Sequence, residues 1–172
     1  MVNNQKSAEK LLKEGEKTEL YFSSLMEHEW QICVYFDKKE WQIKDVLAHF
    51  ISAEKAFLVL FDNIKKYGLG SPEDFSINEF NNSQVEKMKD IEIADLIKLF
   101  HVTRAQTINW VNGLAKEDME KTGRHPAMGE AKLGEMVKMI YLHNQMHLQD
   151  VRSSINIYDG KQKNIQAINT DK

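Results

Sequence analysis

The residues with the clearest chemical potential are two histidines in the last third of the chain, His143 and His147. On an α-helix, side chains four residues apart stand one above the other on the same face. Two imidazoles in that arrangement can bind one divalent metal ion, as in helical zinc sites. The glutamate of the His-Glu-x-x-His protease motif is absent, since Asn144 follows His143. Spacing alone favours two ordinary polar residues, because a metal site needs a third donor.

The best third donor is His49, near the start of an earlier predicted helix. The residues 4, 7 and 11 positions after it are Ala53, Ala56 and Leu60, which lie on the same side of that helix. These small and apolar side chains leave room for an ion. The alternative is a histidine at a helix edge whose ring binds a backbone carbonyl. Spacing does not separate these two interpretations.

Two carboxylates are further candidates. Glu54 falls within the apolar stripe of the helix that carries His49, and a buried carboxylate must be paired or protonated. We consider it a candidate catalytic residue, either a general base or a partner of a ligand imidazole. The alternatives are a core ion pair with an arginine or a place in a hydrated seam, and although Arg104 could reach Glu54 or an anionic substrate, we favour a surface arginine there. Asp150, three residues after His147, would either orient that imidazole or be solvated.

The low number of glycines and prolines, which interrupt helices, indicates where the helices that position these residues lie. The chain has 8 glycines and 2 prolines in 172 residues, and residues 16–67, 73–112 and 135–159 contain neither. Such stretches favour helices over strands, and their apolar residues recur with helical period. The polar connection 68–90 has the length of a crossover or a lid, with a short extra helix at about 83–90. We predict an all-α, antiparallel four-helix bundle with helices at about 5–30, 43–67, 91–115 and 131–157.

Length and composition narrow the function classes. The length suits one domain, which we assign to residues 1–158, followed by a polar, frayed tail at 159–172. The net charge of −3 lacks the basic excess of a nucleic-acid binder. No apolar run reaches membrane-spanning length, no secretory signal is evident, and the single cysteine excludes an intrachain disulfide. We expect a cytoplasmic protein with a small-molecule substrate and no nucleic-acid or membrane partner.

Taken together and in order, these motifs resemble the DinB-like superfamily, which includes thiol-dependent transferases and mycothiol-dependent maleylpyruvate isomerases. Its hallmarks are a tryptophan shortly before the second helix, a histidine early in that helix and His-x-x-x-His on the last helix. Trp41, His49, His143 and His147 match them, and residues 128–133 match the family's hydrophobic-Gly-x-x-x-Leu lead into the last helix. The resemblance extends from about residue 8 to 157. It implies a four-helix bundle, often a homodimer, in which three histidines hold a divalent metal ion.

Three positions depart from the family pattern. Gln42 stands where many members have a small hydroxyl residue as helix N-cap, and Met146 stands where many have a second histidine before the last ligand. Asp150 replaces a glutamine that many members carry. The histidine triad is complete, but the residues that would assign a subfamily are not reproduced, so the resemblance does not specify the activity.

The chemistry of such a site follows from its ligands. Three neutral imidazoles leave the ion its full charge, and zinc, nickel, iron, cobalt or manganese is admissible. The ion would lower the pKa of a bound water toward ~7, which leads to hydrolysis, or hold a thiol as the nucleophilic thiolate. The resemblance favours a low-molecular-weight thiol. We therefore predict a metal-dependent thiol S-transferase or hydrolase. The alternatives are a non-catalytic, metal-binding dimeric bundle with a stress or interaction role, and a bundle whose histidines are incidental.

Overall fold

Four long helices form a bundle, as predicted. The computed structural model describes residues 4–36 and 39–170, with side chains up to residue 163. α1 and α2 each pack against both α4 and α5, so the order around the bundle is α1, α4, α2, α5. No helix among the described residues is long and apolar enough to cross a bilayer. The helices are α1 (Asn4–Ser23), α2 (Ile43–Tyr67), α3 (Ile77–Glu86), α4 (Ile93–Asn112) and α5 (Leu133–Thr170).

Two short antiparallel hairpins, which the sequence analysis did not predict, precede the two helices that carry the histidine triad. Each hairpin is tied to the start of its helix by an equivalent backbone bond. The N–H of Ile43 donates to the carbonyl of Ile32 at 3.1 Å, and the N–H of Leu133 donates to that of Lys121 at 2.8 Å. Both helices therefore begin in a fixed position. The first hairpin consists of β1 (Cys33–Tyr35) and β2 (Trp41–Gln42), and the second of β3 (Thr122–His125) and β4 (Gly129–Lys132).

The observed helix ends differ from the predicted ones in three places. α1 ends at Ser23 instead of about residue 30, because the following segment turns away to form the first hairpin. The extra helix spans 77–86 instead of 83–90, since the hydroxyl of Ser76 accepts the N–H of Glu79 at 3.4 Å and caps it there. α5 continues to Thr170, across most of the predicted tail at 159–172; side chains beyond residue 163 lie outside the described part.

The core has two apolar clusters. One surrounds Phe22 and Phe50, and the other surrounds Leu11 and Phe61. Between these positions, α1, α2 and α4 contribute buried polar residues. These are Glu14, Thr18, Glu54, Thr103, Arg104 and Thr107.

Candidate metal centre

The three predicted histidines come together where α2 lies against α5. The Nε2 atom of His143 is 3.0 Å from that of His49 and 3.1 Å from that of His147. His49 is buried, with 3% of its surface exposed, and the other two rings are half-buried. One nitrogen from each ring can be chosen so that all lie within 4.8 Å of one another. The arrangement has the donor number and spacing of a site for a single ion.

The tautomer of His147 is set by a tyrosine from the first hairpin. The hydroxyl of Tyr35 donates to Oδ2 of Asp150 at 2.6 Å, and its oxygen lies against Nδ1 of His147. Since the hydroxyl hydrogen is used on the carboxylate, the tyrosine oxygen accepts from Nδ1–H. The Nε2 atom of His147 then carries a lone pair. Asp150, which is 4.0 Å from Nδ1, therefore acts on this ring chiefly through Tyr35.

The tautomer of His143 is set by its neighbour in the chain. Oδ1 of Asn144 faces Nδ1 of His143 at 3.4 Å, so Nδ1 carries the hydrogen and Nε2 the lone pair. Burial, followed by the proximity of His147, lowers the pKa of His143 to about 4. Burial, and then the two neighbouring rings, likewise lowers the pKa of His49 well below its usual range. These rings are therefore neutral near pH 7, as metal ligation requires.

The donor set fits a divalent cation. With the ring hydrogens of His143 and His147 assigned to Nδ1 by these neighbours, their Nε2 lone pairs face each other at 3.1 Å. Two lone pairs at this distance repel, and a cation shared by both removes the repulsion. Ligand nitrogens on a tetrahedral zinc ion are about 3.3 Å apart for Zn–N bonds of about 2.0–2.1 Å, close to the observed spacing. Nδ1 of His49 has no hydrogen-bond partner among the described residues, so no neighbour there fixes the tautomer of this ring, and its Nε2 atom, 3.0 Å from that of His143, completes the set of three donors.

Glu54 lies in the core and not with the histidines. Its carboxylate, 1% exposed, accepts from Nη2 of Arg104 at 2.6 Å and from the hydroxyl of Thr107 at 2.8 Å. Nη1 of the same arginine donates to Glu14 at 2.7 Å. This is the core ion pair that the sequence left open as an alternative, and the expectation of a surface arginine at Arg104 is wrong, since only 4% of its surface is exposed. The ion pair corrects the suggestion that Glu54 partners a ligand imidazole, because its oxygens are already occupied by Arg104 and Thr107.

A cavity of about 1160 Å³ opens beside the three imidazoles, all of which line it. Its walls come from α2, α3, α5 and the turn of the second hairpin. Trp41, whose ring lies 5.1 Å from that of His49, donates from Nε1 to Asn82 at 3.0 Å and thereby connects α3 to the site. The helix α3 thus covers one side of the cavity.

His125, in the second hairpin, also lines the cavity. Its Nδ1 accepts the backbone N–H of Ala127 at 3.1 Å, and its Nε2 is buried with no hydrogen-bond partner among the described residues. Burial lowers the pKa of this histidine, so its ring is neutral with the hydrogen on Nε2. Sequence analysis missed the roles of Tyr35 and His125. For Tyr35 the only signal was its place in an aromatic run before Trp41.

Comparisons with known proteins place the fold in context. The family model described as the DinB superfamily matches residues 4–151. Among solved structures, YfiT from Bacillus subtilis, described as a probable metal-dependent hydrolase with an unusual four-helix bundle topology, is similar with a TM-score of 0.72 and 11% identity. The similarity covers 91% of this chain and 87% of YfiT.

Two further structures share the fold at low identity. The mycothiol-dependent maleylpyruvate isomerase has a TM-score of 0.71 at 13% identity over 87% of this chain, which spans only 60% of that protein. The colibactin self-resistance protein ClbS, solved in complex with double-stranded DNA, has a TM-score of 0.63 at 10% identity, covering 88% of this chain and 96% of its own. No curated protein matches the sequence. At these identities the similarities show the fold alone.

Proposed function

We propose that this chain, which belongs to the DinB superfamily, is a metal-dependent enzyme in which His49, His143 and His147 hold one divalent ion. The observation that carries the proposal is the convergence of the three imidazoles, with Nε2 of His143 lying 3.0 Å from that of His49 and 3.1 Å from that of His147. Zinc, nickel, iron, cobalt and manganese all accept imidazole ligands, so the donor set does not select among them.

When bound, such an ion lowers the pKa of a thiol or a water molecule and so supplies a nucleophile at neutral pH. We favour the thiol, which makes the reaction an S-transfer to an electrophilic small molecule. The cavity supports this choice. Its volume of about 1160 Å³ exceeds the range of roughly 300–1,000 Å³ for single-ligand pockets, so a thiol and a second substrate fit together. The similarity to a mycothiol-dependent isomerase agrees with the thiol, and that to YfiT agrees with water.

The residues around the triad orient the rings and exclude water. Tyr35 and Asp150 keep a hydrogen on Nδ1 of His147, away from the nitrogen that faces the cluster. Phe50 lies 6.0 Å from the rings of both His143 and His147, and Phe57 lies 6.0 Å from that of His143. These apolar contacts lower the local dielectric, which strengthens electrostatic interactions at the site.

The second candidate is a metal-binding dimeric bundle without catalysis, with a stress or interaction role. It is favoured by one observation: no aspartate or glutamate lines the described part of the cavity, so no carboxylate general base is at hand. A homodimer, a cytoplasmic location and a small-molecule partner are part of both proposals. Light scattering after size-exclusion chromatography measures the oligomeric state.

The deciding experiment is elemental mass spectrometry of the untagged protein and of the double variant His143→Ala/His147→Ala. We expect about one ion per chain in the wild type and none in the variant. The matched control is His28→Ala/His101→Ala, which removes two exposed histidines and should keep the ion. A wild-type protein that contains no metal and takes up none of zinc, nickel or manganese would refute the proposal. Conjugation of electrophiles with several thiols then separates catalysis from binding.

A further inference from the structure

The cavity beside the histidines has a charge that is opposite in sign to that of the whole chain. Its described lining contains Lys39, Lys55 and Lys87 but no aspartate or glutamate, whereas the chain has a net charge of −3. Lys39 is paired with Glu86 at 2.6 Å, a carboxylate that it shares with Lys89. Lys55 and Lys87 have no ion-pair or hydrogen-bond partner within the described part of the chain. Two positive charges with no partner among the described residues therefore border the cavity, one on α2 and one at the end of α3.

The rest of the lining is mostly apolar. Val59 and Phe75 border the cavity with 65% and 37% of their surfaces exposed, and Leu60 and Met88 are half-buried there. Apolar surface left open in a concave site is favourable to cover, because the water against it is released. A ligand that matches this lining has an apolar body as well as a charge.

An unused hydrogen-bond donor lies in the same wall. His125, with 3% of its surface exposed, carries its hydrogen on Nε2, since Nδ1 accepts from Ala127, and this hydrogen has no acceptor among the described residues. Buried donors in folded proteins are nearly always paired. An acceptor oxygen on a bound molecule would satisfy it.

We propose that this cavity binds a small organic anion with an apolar body, whose charge is balanced by Lys55 and Lys87 and whose oxygen accepts the Nε2 hydrogen of His125. Only the assignment of that anion as a substrate or thiol co-substrate rests on the proposed function. The binding itself requires no metal ion, because none of these three residues belongs to the histidine triad.

The test uses three probes with the same aromatic body and different charge: naphthalene-2-sulfonate, the neutral naphthalene-2-sulfonamide and 2-naphthylmethylammonium. Binding to the chelator-treated full chain is measured by calorimetry at low salt. We expect the sulfonate to bind most tightly and the ammonium least. Lys55→Gln and Lys87→Gln should each weaken sulfonate binding about three- to fivefold, the usual size for one exposed charge, and leave the sulfonamide unchanged. The matched control is Lys98→Gln, an exposed lysine on α4 outside the cavity.

His125→Phe tests the donor separately. It should weaken the sulfonate and the sulfonamide alike, since both carry sulfonyl oxygens, in a protein whose circular dichroism matches that of the wild type. Equal affinity for all three probes, no sulfonate binding at millimolar concentration, or full sulfonate affinity in the double variant Lys55→Gln/Lys87→Gln would overturn the proposal. If the chain binds the sulfonate but takes up no metal, the anion site stands and the metal centre is refuted. If the chain takes up metal but does not bind the sulfonate, the metal centre stands and the anion site is refuted.

Discussion

Replacing Tyr35 with phenylalanine removes one oxygen atom from the candidate metal centre and keeps the ring that packs against Trp41 and His147. That oxygen accepts Nδ1–H of His147 and donates to Asp150 at 2.6 Å. Without it, the imidazole loses the group that fixes its orientation and its tautomer. Loss of the outer partner of a metal-ligating histidine typically lowers metal affinity by about 10–100-fold. We therefore expect the zinc dissociation constant to rise by that factor, which corresponds to about 1.4–2.8 kcal/mol.

The assay is competition for zinc between the protein and a chromophoric chelator of known affinity, with thermal unfolding to verify that the variant is folded. The matched control is Tyr158→Phe, because Tyr158 on α5 is also half-buried but lies against His28, away from the triad. It should bind zinc as the wild type does. A folded Tyr35→Phe protein whose zinc affinity stays within twofold of the wild type would refute the tautomer reasoning.

Three further predictions follow from buried groups. Glu54→Gln should lower the free energy of unfolding, measured by urea denaturation, by about 3 kcal/mol, because it leaves the charge of Arg104 partly uncompensated. The zinc affinity of this variant should not change. A lower zinc affinity at unchanged stability would contradict the structural role of Glu54. In the metal-free protein the folded-state pKa of His143 is about 4 against an ordinary 6.5, so the unfolded chain binds more protons in that window. The free energy of unfolding should therefore fall as the pH is lowered from 6.5 to 4, by on the order of 3 kcal/mol from His143. A free energy of unfolding that stays constant over this pH range, measured by urea denaturation in the presence of a chelator, would contradict the burial of His143. Gly70→Ala should lower the unfolding temperature, with a cost of about 1–3 kcal/mol, because the new Cβ would overlap the backbone of Arg124; an unchanged unfolding temperature would show that the loop moves freely.

The sequence predicted correctly those features that depend only on nearby positions in the chain. Positions i and i+4 share a helix face, so His143 and His147 needed only the prediction of a helix there. The stretches without glycine and proline located the four long helices, but this pattern predicted neither hairpin. The first hairpin escaped because the segment 36–40 between its strands contains neither glycine nor proline. The end of α1 at Ser23 was misplaced for the same reason.

The sequence did not reveal which side chains on different helices contact one another. The helical wheel placed Glu54 on the buried face, but whether it faces Arg104 or an imidazole depends on which helices are neighbours. In the observed order α1, α4, α2, α5, its carboxylate turns to α4 while His49 turns to α5. Two side chains on one helix thus reached different partners because they project from different sides of it.

By itself, the sequence determined the helical class of this protein and the pairing of His143 with His147, because periodicity and spacing are properties of short stretches of chain, while its resemblance to a known family singled out His49. Only the tertiary structure decided what surrounds those histidines. Tyr35 lies 112 residues from His147, and the cavity lysines come from separate elements. Contacts of this kind exist only after the hairpins and α3 have packed against the bundle, since no pattern within one segment encodes which distant side chain will meet it.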